Sequence, residues 1–270
     1  MPMSLWIADA REGLLSPAGE RLCAQPLCLC VCGGAVVCAC PRCARVFAAD
    51  GSELGSYPLP PGVRCMQALP GALYCLSGEA DSVSLLCPRT GQLRLCTQAG
   101  CDPRDLALSP CRRMLAAAGG AAGRLYLYDS YTLELLRVIS LPGIVYAVCF
   151  WNGGMMALCG IGADEPSAAL YRISARGVVS EALRLSGLPG ALLSLPGGGL
   201  MAGTLGHLAI LRQDLTAQRR FACGLPARLR LYPGFALCAD PLEGRLLRIP
   251  LREGKPQTLY AGEAVDAVLA

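Results

Sequence analysis

Cysteine is the chemistry-bearing residue that this sequence uses most densely. The chain of 270 residues contains 17 cysteines. Seven of these fall in one short stretch: Cys23, Cys28, Cys30, Cys32, Cys38, Cys40 and Cys43. Alternate residues of a β-strand share a face, so Cys28 and Cys30 would share one face, as would Cys38 and Cys40. The segment Cys40-Pro41-Arg42-Cys43 has the C-x-x-C spacing of zinc knuckles and redox pairs.

Two interpretations of this cluster stay open. Thiolates from two paired strands could hold Zn²⁺ or an iron–sulfur cluster, with the candidate ligands Cys28, Cys30, Cys38, Cys40 and Cys43. However, cysteine also packs well as a small buried hydrophobe. The other ten cysteines are spread along the chain, many where comparable segments carry Ala, Val or Leu. The pattern therefore favours core packing without a cofactor and keeps a metal or redox centre as the alternative.

The start of the chain and its charge indicate a compartment and exclude some partners. Residues 1–6 lack the basic and apolar regions of a secretory signal, so the thiols are expected to stay reduced in the cytoplasm. The net charge of +4 comes from scattered arginines, and aromatic residues make up only 6%. Nucleic-acid binding usually needs a clustered basic surface with aromatic platforms. We therefore expect no nucleic-acid partner.

The hydropathy of the chain predicts buried strands, not membrane spans. The composition is 53% hydrophobic with a mean hydropathy of +0.43. The longest uncharged run, residues 138–163, is broken by Pro142-Gly143 and by Asn152-Gly153-Gly154. Strands covered on both faces give such near-continuous apolar runs. Two buried strands joined by a tight hairpin are predicted here, and no membrane association.

A repeated unit positions these residues. Ala8-Asp9 leads through Glu12-Gly13 into a strand, and Ala239-Asp240 leads through Glu243-Gly244 into another. Strand-rich units of roughly 35–44 residues recur between these copies, as in β-propeller blades. Such units cannot bury their apolar faces alone and must stack on their neighbours. The sequence thus predicts one all-β domain over residues 1–270.

The predicted fold is a seven-bladed β-propeller of four-stranded antiparallel blades, although six or eight blades remain open. Six blades are continuous segments: 27–61, 62–100, 101–142, 143–186, 187–223 and 224–262. The remaining ends, 264–270 and 1–26, supply one inner strand and three outer strands. A blade shared between the N- and C-termini would close the ring without exposing a strand edge.

One blade carries a family resemblance. The segment Pro103-Arg104-Asp105-Leu106-Ala107-Leu108-Ser109-Pro110, followed by Leu125-Tyr126-Leu127-Tyr128-Asp129, resembles the YncE-like, or YVTN, bacterial β-propellers. It is also similar to the wider WD40-like group. The resemblance implies a binding propeller without assigned catalysis.

The central channel is the expected binding region, because propellers present the starts of their inner strands there. Aligning the blades places six residues near one rim: Arg64, Arg104, Asp105, Tyr146, Arg228 and Asp266. Arginine forks at a cavity mouth suit a carboxylate or a phosphate. A ring of structural ion pairs would look the same in sequence, so both interpretations stay open.

Enzyme chemistry has few candidate residues. His207 is the single histidine, and Asn152 is the single asparagine. Propeller lactonases hold calcium in the channel with acid and asparagine side chains, a ring that this chain cannot assemble. We therefore predict no catalytic residues and a cytoplasmic, monomeric platform for a protein or a small polar ligand. The alternatives are a cysteine-based metal or redox protein and a lactonase-like hydrolase at the channel mouth.

Overall fold

Seven four-stranded antiparallel sheets make up the structure. The computed structural model describes residues 4–162 and 167–270, and the only helical segment among them is one 3₁₀ turn, Pro196–Gly198. Six sheets use four consecutive strands, and the seventh joins the last strand to the first three. The predicted fold class, a seven-bladed β-propeller closed by a shared blade, is confirmed. Among the described residues, no helix is long and apolar enough to cross a bilayer.

The strands are numbered in chain order, and each blade is given from its inner to its outer strand. Blade 1 consists of β28 (Ala264–Leu269), β1 (Leu5–Asp9), β2 (Gly13–Leu15) and β3 (Arg21–Cys23). Blade 2 consists of β4 (Cys28–Cys32), β5 (Ala35–Ala39), β6 (Cys43–Phe47) and β7 (Glu53–Pro58). Blade 3 consists of β8 (Val63–Leu69), β9 (Ala72–Ser77), β10 (Ser82–Leu86) and β11 (Leu93–Gln98). Blade 4 consists of β12 (Asp105–Leu108), β13 (Met114–Ala118), β14 (Arg124–Asp129) and β15 (Leu135–Ser140).

The second half of the ring repeats this order. Blade 5 consists of β16 (Ile144–Trp151), β17 (Gly154–Ile161), β18 (Ser167–Ile173) and β19 (Val179–Ser186). Blade 6 consists of β20 (Pro189–Ser194), β21 (Leu200–Thr204), β22 (Gly206–Leu211) and β23 (Ala217–Cys223). Blade 7 consists of β24 (Arg228–Tyr232), β25 (Phe235–Asp240), β26 (Arg245–Pro250) and β27 (Gln257–Ala261).

The long uncharged run forms the predicted hairpin in blade 5. Trp151 pairs with Gly154, and the two residues between them, Asn152 and Gly153, have φ values of 45° and 73°. Two consecutive positive φ angles match the type I′ turn that fits the right-handed twist of a hairpin. Ala163, the last residue of the run, lies outside the described residues.

The ring closes by backbone pairing between the two chain ends. In blade 1, Leu5 pairs with Leu269, and the ladder continues to Ala8 opposite Asp266. Beyond the strands, Ser4 and Ala270 exchange two backbone hydrogen bonds of 2.9 and 3.0 Å. The inner strand of blade 1 is thereby fixed in register beside the inner strands of its neighbours.

The apolar core lies between neighbouring blades. Between blades 1 and 2, for example, Trp6 packs on Phe47 with ring centroids 5.9 Å apart, and both are almost completely buried. Each blade buries both faces of its middle strands in this way, which explains the apolar composition. The inner strands run in the same direction, so their starts gather at one end of the central channel.

Candidate functional site

A cavity of about 720 Å³ occupies the central channel, and all seven blades contribute to its wall. The six rim residues predicted from sequence all lie on this wall: Arg64, Arg104, Asp105, Tyr146, Arg228 and Asp266. The wall also carries Arg230, at the third position of β24. Because side chains alternate along a strand, Arg228 and Arg230 face the channel together.

Two arginines at the mouth converge on one carboxylate. Arg64 Nη1 lies 2.6 Å from Asp102 Oδ1, while Arg104 Nη2 and Nε donate to Asp102 Oδ2 at 2.7 and 3.1 Å. The Arg104 guanidinium also stacks over the Tyr146 ring, 4.2 Å from its centroid. Burial alone would raise the pKa of Asp102, but its bonds to Arg104 and the charge of Arg64 lower it below the ordinary value.

The Arg64 and Arg104 side chains remain partly open to solvent, with exposed fractions of 43% and 27%. Sequence reasoning found both arginines but missed Asp102. Its position directly before Pro103, at the entry to an inner strand, was the available signal. The backbone of Asp102 is in the left-handed region, with φ of 54°, a conformation that aspartate adopts more readily than most residues.

A second acid, Asp105, lies deeper in the wall. Its Oδ2 accepts a hydrogen bond of 3.1 Å from the backbone N–H of Val148, and Arg228 Nη1 lies 3.5 Å from Oδ1. Arg228 also donates to the backbone carbonyl of Arg64. Burial raises the pKa of Asp105 above its ordinary value, because Arg228 and the N–H donors only partly compensate for lost hydration. This carboxyl therefore takes up a proton at a higher pH than a surface aspartate does.

The third acid, Asp266, forms a closed ion pair with Arg230. Its oxygens accept from Arg230 Nε and Nη2 at 2.8 and 2.6 Å and from the backbone N–H groups of Leu29 and Ala267, both at 2.9 Å. The Asp266 side chain is fully buried. Burial lowers the pKa of Arg230, but attraction to Asp266 outweighs this and raises it. Asp266 is thus engaged in joining blades 1, 2 and 7.

The charges of the channel mouth are unequal in number. Four arginines (Arg64, Arg104, Arg228 and Arg230) and two aspartates (Asp105 and Asp266) line the cavity, and Asp102 lies against two of the arginines. Among these seven groups, one positive charge is in excess when every group is ionised. Protonation of Asp105 would add a second. A cavity wall with this balance attracts anions over cations.

The five cysteines that the sequence suggested as metal ligands are not assembled into one centre. In blade 2, Cys28 pairs with Ala39, whereas Cys38 pairs with Leu29. Residues directly opposite in an antiparallel sheet share a face, so Cys28 and Cys30 lie on the face opposite to Cys38. The first pair packs towards blade 3, and Cys38 and Cys40 pack towards blade 1. The five cysteines therefore do not form the single ligand set that the sequence suggested.

A different group of thiols meets between blades 1 and 2. Cys23 Sγ lies 3.8 Å from both Cys38 Sγ and Cys40 Sγ, and all three sulfurs lie within 4.8 Å of one another. Hydrogen bonds from Cys38 and Cys40 lower the pKa of Cys23, and the bond shared with Cys23 raises the pKa of Cys38. Sequence reasoning noted Cys23 but left it out of the ligand set, because only the stacking of blades brings β3 against β5.

The single histidine and the single asparagine of the sequence lie outside the channel. His207 Nε2 is 2.9 Å from Ser186 Oγ, between the third strand of blade 6 and the outer strand of blade 5. Asn152 occupies the turn of blade 5. Among the described residues, none of the channel-lining side chains is a histidine or an asparagine. The polar side chains of the wall are therefore those of arginine, aspartate, tyrosine, glutamine and serine, beside three cysteine thiols.

The fold and this site define the class: a seven-bladed β-propeller with an arginine-rich channel mouth. A protein from Lactobacillus plantarum is similar at 13% identity over 100% of both chains, with a TM-score of 0.77. A candidate 6-phosphogluconolactonase from Bacteroides uniformis is similar at 12% identity over 99% of both chains, with a TM-score of 0.74. The WD40 domain of Neurospora crassa Pan2 is similar at 10% identity over 88% of this chain and 79% of that domain, with a TM-score of 0.68.

At these identities the likeness shows the fold and not the activity. No protein-family model matches the sequence, and no curated protein matches it.

Proposed function

We propose that this chain is a non-catalytic propeller of the YVTN type, which binds a small anionic ligand at its channel mouth. The observation that carries the proposal is the convergence of Arg64 and Arg104 on a single carboxylate, that of Asp102. The cavity below them, about 720 Å³, has the volume of a small-molecule site. The ligand class is a carboxylate or phosphate of metabolite size.

Asp102 indicates how such a ligand would be held. A carboxylate that bridges two guanidinium groups is chemically equivalent to a bound anion, so a ligand carboxylate or phosphate could add to or replace it. The Tyr146 ring packs on one side of the Arg104 guanidinium; Arg64 lies in β8 of blade 3, and Arg104 directly precedes β12 of blade 4. Little side-chain entropy would therefore be lost on binding.

The same end of the ring offers a surface to a protein partner. Leu188 lies directly before inner strand β20, and Leu205 N donates to Leu188 O at 2.8 Å. Both leucine side chains are exposed, at 39% and 37%. Loops held by a propeller commonly present such surfaces, so ligand and protein binding could be combined here.

The setting that we propose is a monomer in the cytoplasm. All 17 cysteines are free thiols, which is consistent with a reducing compartment.

Calorimetric titration with 6-phosphogluconate and with sulfate tests the proposal. The first probe carries both a carboxylate and a phosphate, and the second carries a fixed charge. The double variant Arg64→Gln, Arg104→Gln should bind 6-phosphogluconate at least roughly tenfold more weakly than the unmodified chain, because two charge-assisted contacts are lost. The matched control is Arg124→Gln, which removes an exposed arginine outside the channel wall. Equal affinity in the double variant and the unmodified chain would contradict the proposal.

Lactone hydrolysis is a second candidate function. It is favoured by the raised pKa of Asp105 in the channel and by the structural likeness to the candidate 6-phosphogluconolactonase. A carboxyl with a raised pKa can serve in acid–base catalysis. The discriminating measurement is the hydrolysis of 6-phosphogluconolactone. A rate above the spontaneous one that disappears in Asp105→Asn would replace the binding proposal with an enzymatic one.

A further inference from the structure

The thiols between blades 1 and 2 come from separate elements. Cys23 ends β3, the outer strand of blade 1, while Cys38 lies in β5 and Cys40 follows it in blade 2. Their exposed fractions are 8%, 0% and 6%. Cys43, which begins β6, packs against the edge of the same apolar cluster, and Cys40 N donates to Cys43 O at 2.8 Å across the C-x-x-C turn. Four thiols thus belong to one buried corner of the ring.

Blade 7 provides an internal comparison for this corner. In both blades an alanine near the end of the second strand pairs with the first residue of the inner strand: Ala39 with Cys28 in blade 2, and Ala239 with Arg228 in blade 7. When the blades are aligned on this alanine, Cys38 corresponds to Cys238 and Cys40 corresponds to Asp240. In blade 7, Asp240 accepts from Arg245 Nε at 3.3 Å across the turn. In blade 2, the two residues that face each other across that turn are Cys40 and Cys43. The turn that carries the ion pair Asp240–Arg245 in blade 7 thus carries the two thiols Cys40 and Cys43 in blade 2.

We propose that Cys23, Cys38 and Cys40 bind a Zn²⁺ ion, with Cys43 turning inward as the fourth ligand. Zinc–thiolate bonds of ~2.3 Å in a tetrahedron place the sulfur atoms about 3.8 Å apart. Cys23 Sγ lies at that distance from both Cys38 Sγ and Cys40 Sγ. Two of the three sulfur–sulfur separations therefore match those of zinc ligands, and the third, between Cys38 and Cys40, is within 4.8 Å.

The surroundings suit an anionic metal–thiolate group. Arg45 lies directly opposite Cys38 on the neighbouring strand β6. Its Nη1 donates at 2.6 Å to the carbonyl of Leu22, the residue before Cys23. Arg45 is also paired with Glu53, so its guanidinium, held beside the cluster, offsets only part of the negative charge that zinc with four thiolates would carry. Soft sulfur ligands in a dry pocket favour Zn²⁺ over hard cations such as Ca²⁺ or Mg²⁺.

The metal would act at the joint where the ring is completed. β3 belongs to the blade assembled from both chain ends, whereas β5 and β6 belong to the first continuous blade. A Zn²⁺ ion bound between them would tie these blades together independently of the ladder between β1 and β28. The consequence is a structural clip, distinct from the anion site in the channel.

The experiment is metal analysis of the full chain purified without oxygen, followed by titration with Cd²⁺ as a spectroscopic substitute for Zn²⁺. We expect one metal per chain and a thiolate-to-metal charge-transfer band that saturates at one equivalent. Cys38→Ala should weaken metal affinity at least about 100-fold, because one of four ligands is lost. Cys238→Ala is the matched control, since it removes a fully buried thiol from the corresponding position of blade 7.

Cys40→Ser, at the edge of the turn, provides a second variant if Cys38→Ala fails to fold. It should keep the circular dichroism of the unmodified chain while losing the Cd²⁺ band. Absence of a one-equivalent band in the unmodified chain would overturn the proposal. The proposal would also be overturned if Cys40→Ser kept the full Cd²⁺ band. The same holds if Cys238→Ala lost the band as completely as Cys38→Ala does. Anion binding in the channel should be unchanged in each variant, so the two proposals fail or succeed separately.

Discussion

At the scale of single residues, Asp105 is the group that would make the channel respond to pH. Burial raises its pKa above 3.8, so protonation occurs at a higher pH than for an exposed aspartate. The guanidinium groups keep their charge over this range, and burial raises the pKa values of the neighbouring thiols of Cys28 and Cys65, which stay neutral. As pH falls through the pKa of Asp105, the mouth gains one positive charge.

Sulfate affinity should therefore rise as the pH is lowered. Sulfate keeps its charge, so protonation of Asp105 should tighten its binding roughly 3- to 10-fold in the acid range above pH 3.8. Asp105→Asn should bind sulfate tightly at neutral pH and show a flat profile. Calorimetry at a series of pH values measures both effects. A slope that persists in Asp105→Asn would assign the titration to another group.

Sequence reasoning located the channel arginines because they stand at or near the starts of inner strands, which a repeat aligns. It missed Asp102 and Arg230, because their roles depend on where a side chain points and on contacts between blades. The cysteine set failed for a different reason. Cys28 and Cys38 lie in paired strands, but Cys28 pairs with Ala39, the residue after Cys38, so the two cysteines lie on opposite faces of the sheet. The pairing register depends on the length of the turn between β4 and β5, and the repeated sequence pattern does not specify that length.

At the scale of elements, the end of the second strand is where the blades are fastened. Asp240, fully buried at the end of β25, accepts from the backbone N–H groups of Gly224 and Leu225 at 2.8 and 3.0 Å. Asp9, at the same place in β1, accepts from the N–H groups of Arg11 and Glu12, both at 2.8 Å. The Ala-Asp motif that revealed the repeat thus satisfies backbone N–H donors of loops, which lie in the connection between blades 6 and 7 at Asp240 and in the exposed turn after β1 at Asp9.

Replacing Asp240 with alanine should therefore loosen the connection between blades 6 and 7. The N–H groups of the buried Gly224 and the partly buried Leu225 would lose their acceptor, as would Arg245, which should lower the free energy of unfolding by about 3 kcal/mol. Asp214→Ala is the control, because that exposed carboxylate also accepts from a backbone N–H, that of Thr216 at 2.9 Å. Urea unfolding of the two variants should give a much smaller loss for Asp214→Ala. Equal losses would mean that burial of the loop donors is unimportant.

The strands were predictable at this scale because each blade repeats one rhythm of strand and turn. Blade 3, expected over residues 62–100, has its four strands between Val63 and Gln98 in the structure. The hairpin of blade 5 followed from Asn152-Gly153, whose residue types favour positive φ. Local sequence therefore determines the elements well, whereas the contacts between blades are set by the ring.

At the scale of the whole molecule, the site depends on ring closure. Asp266 comes from β28, the last strand, yet it holds Arg230 of blade 7 and the N–H of Leu29 in blade 2. The channel wall is therefore complete only when the C-terminal strand is seated beside β1. Because Ser4 and Ala270 already exchange backbone hydrogen bonds, a short peptide could join the ends without moving them.

Covalent closure should stabilise the chain without altering the site. A Gly-Ser linker from residue 270 to residue 4 would reduce the conformational entropy of the unfolded chain and would connect two residues that are already paired in the folded ring. By analogy with a cross-link that closes a long loop, the free energy of unfolding should rise by about 3–5 kcal/mol. The control carries the same linker at its C-terminus without the final peptide bond, and urea unfolding compares the two. The affinity for sulfate should be equal in both, since Asp266 is already in place before the ends are joined. If the cyclic chain were no more stable than its control, the two ends would have to lie close together in the unfolded chain as well. Closure of the ring would then contribute nothing to its specificity.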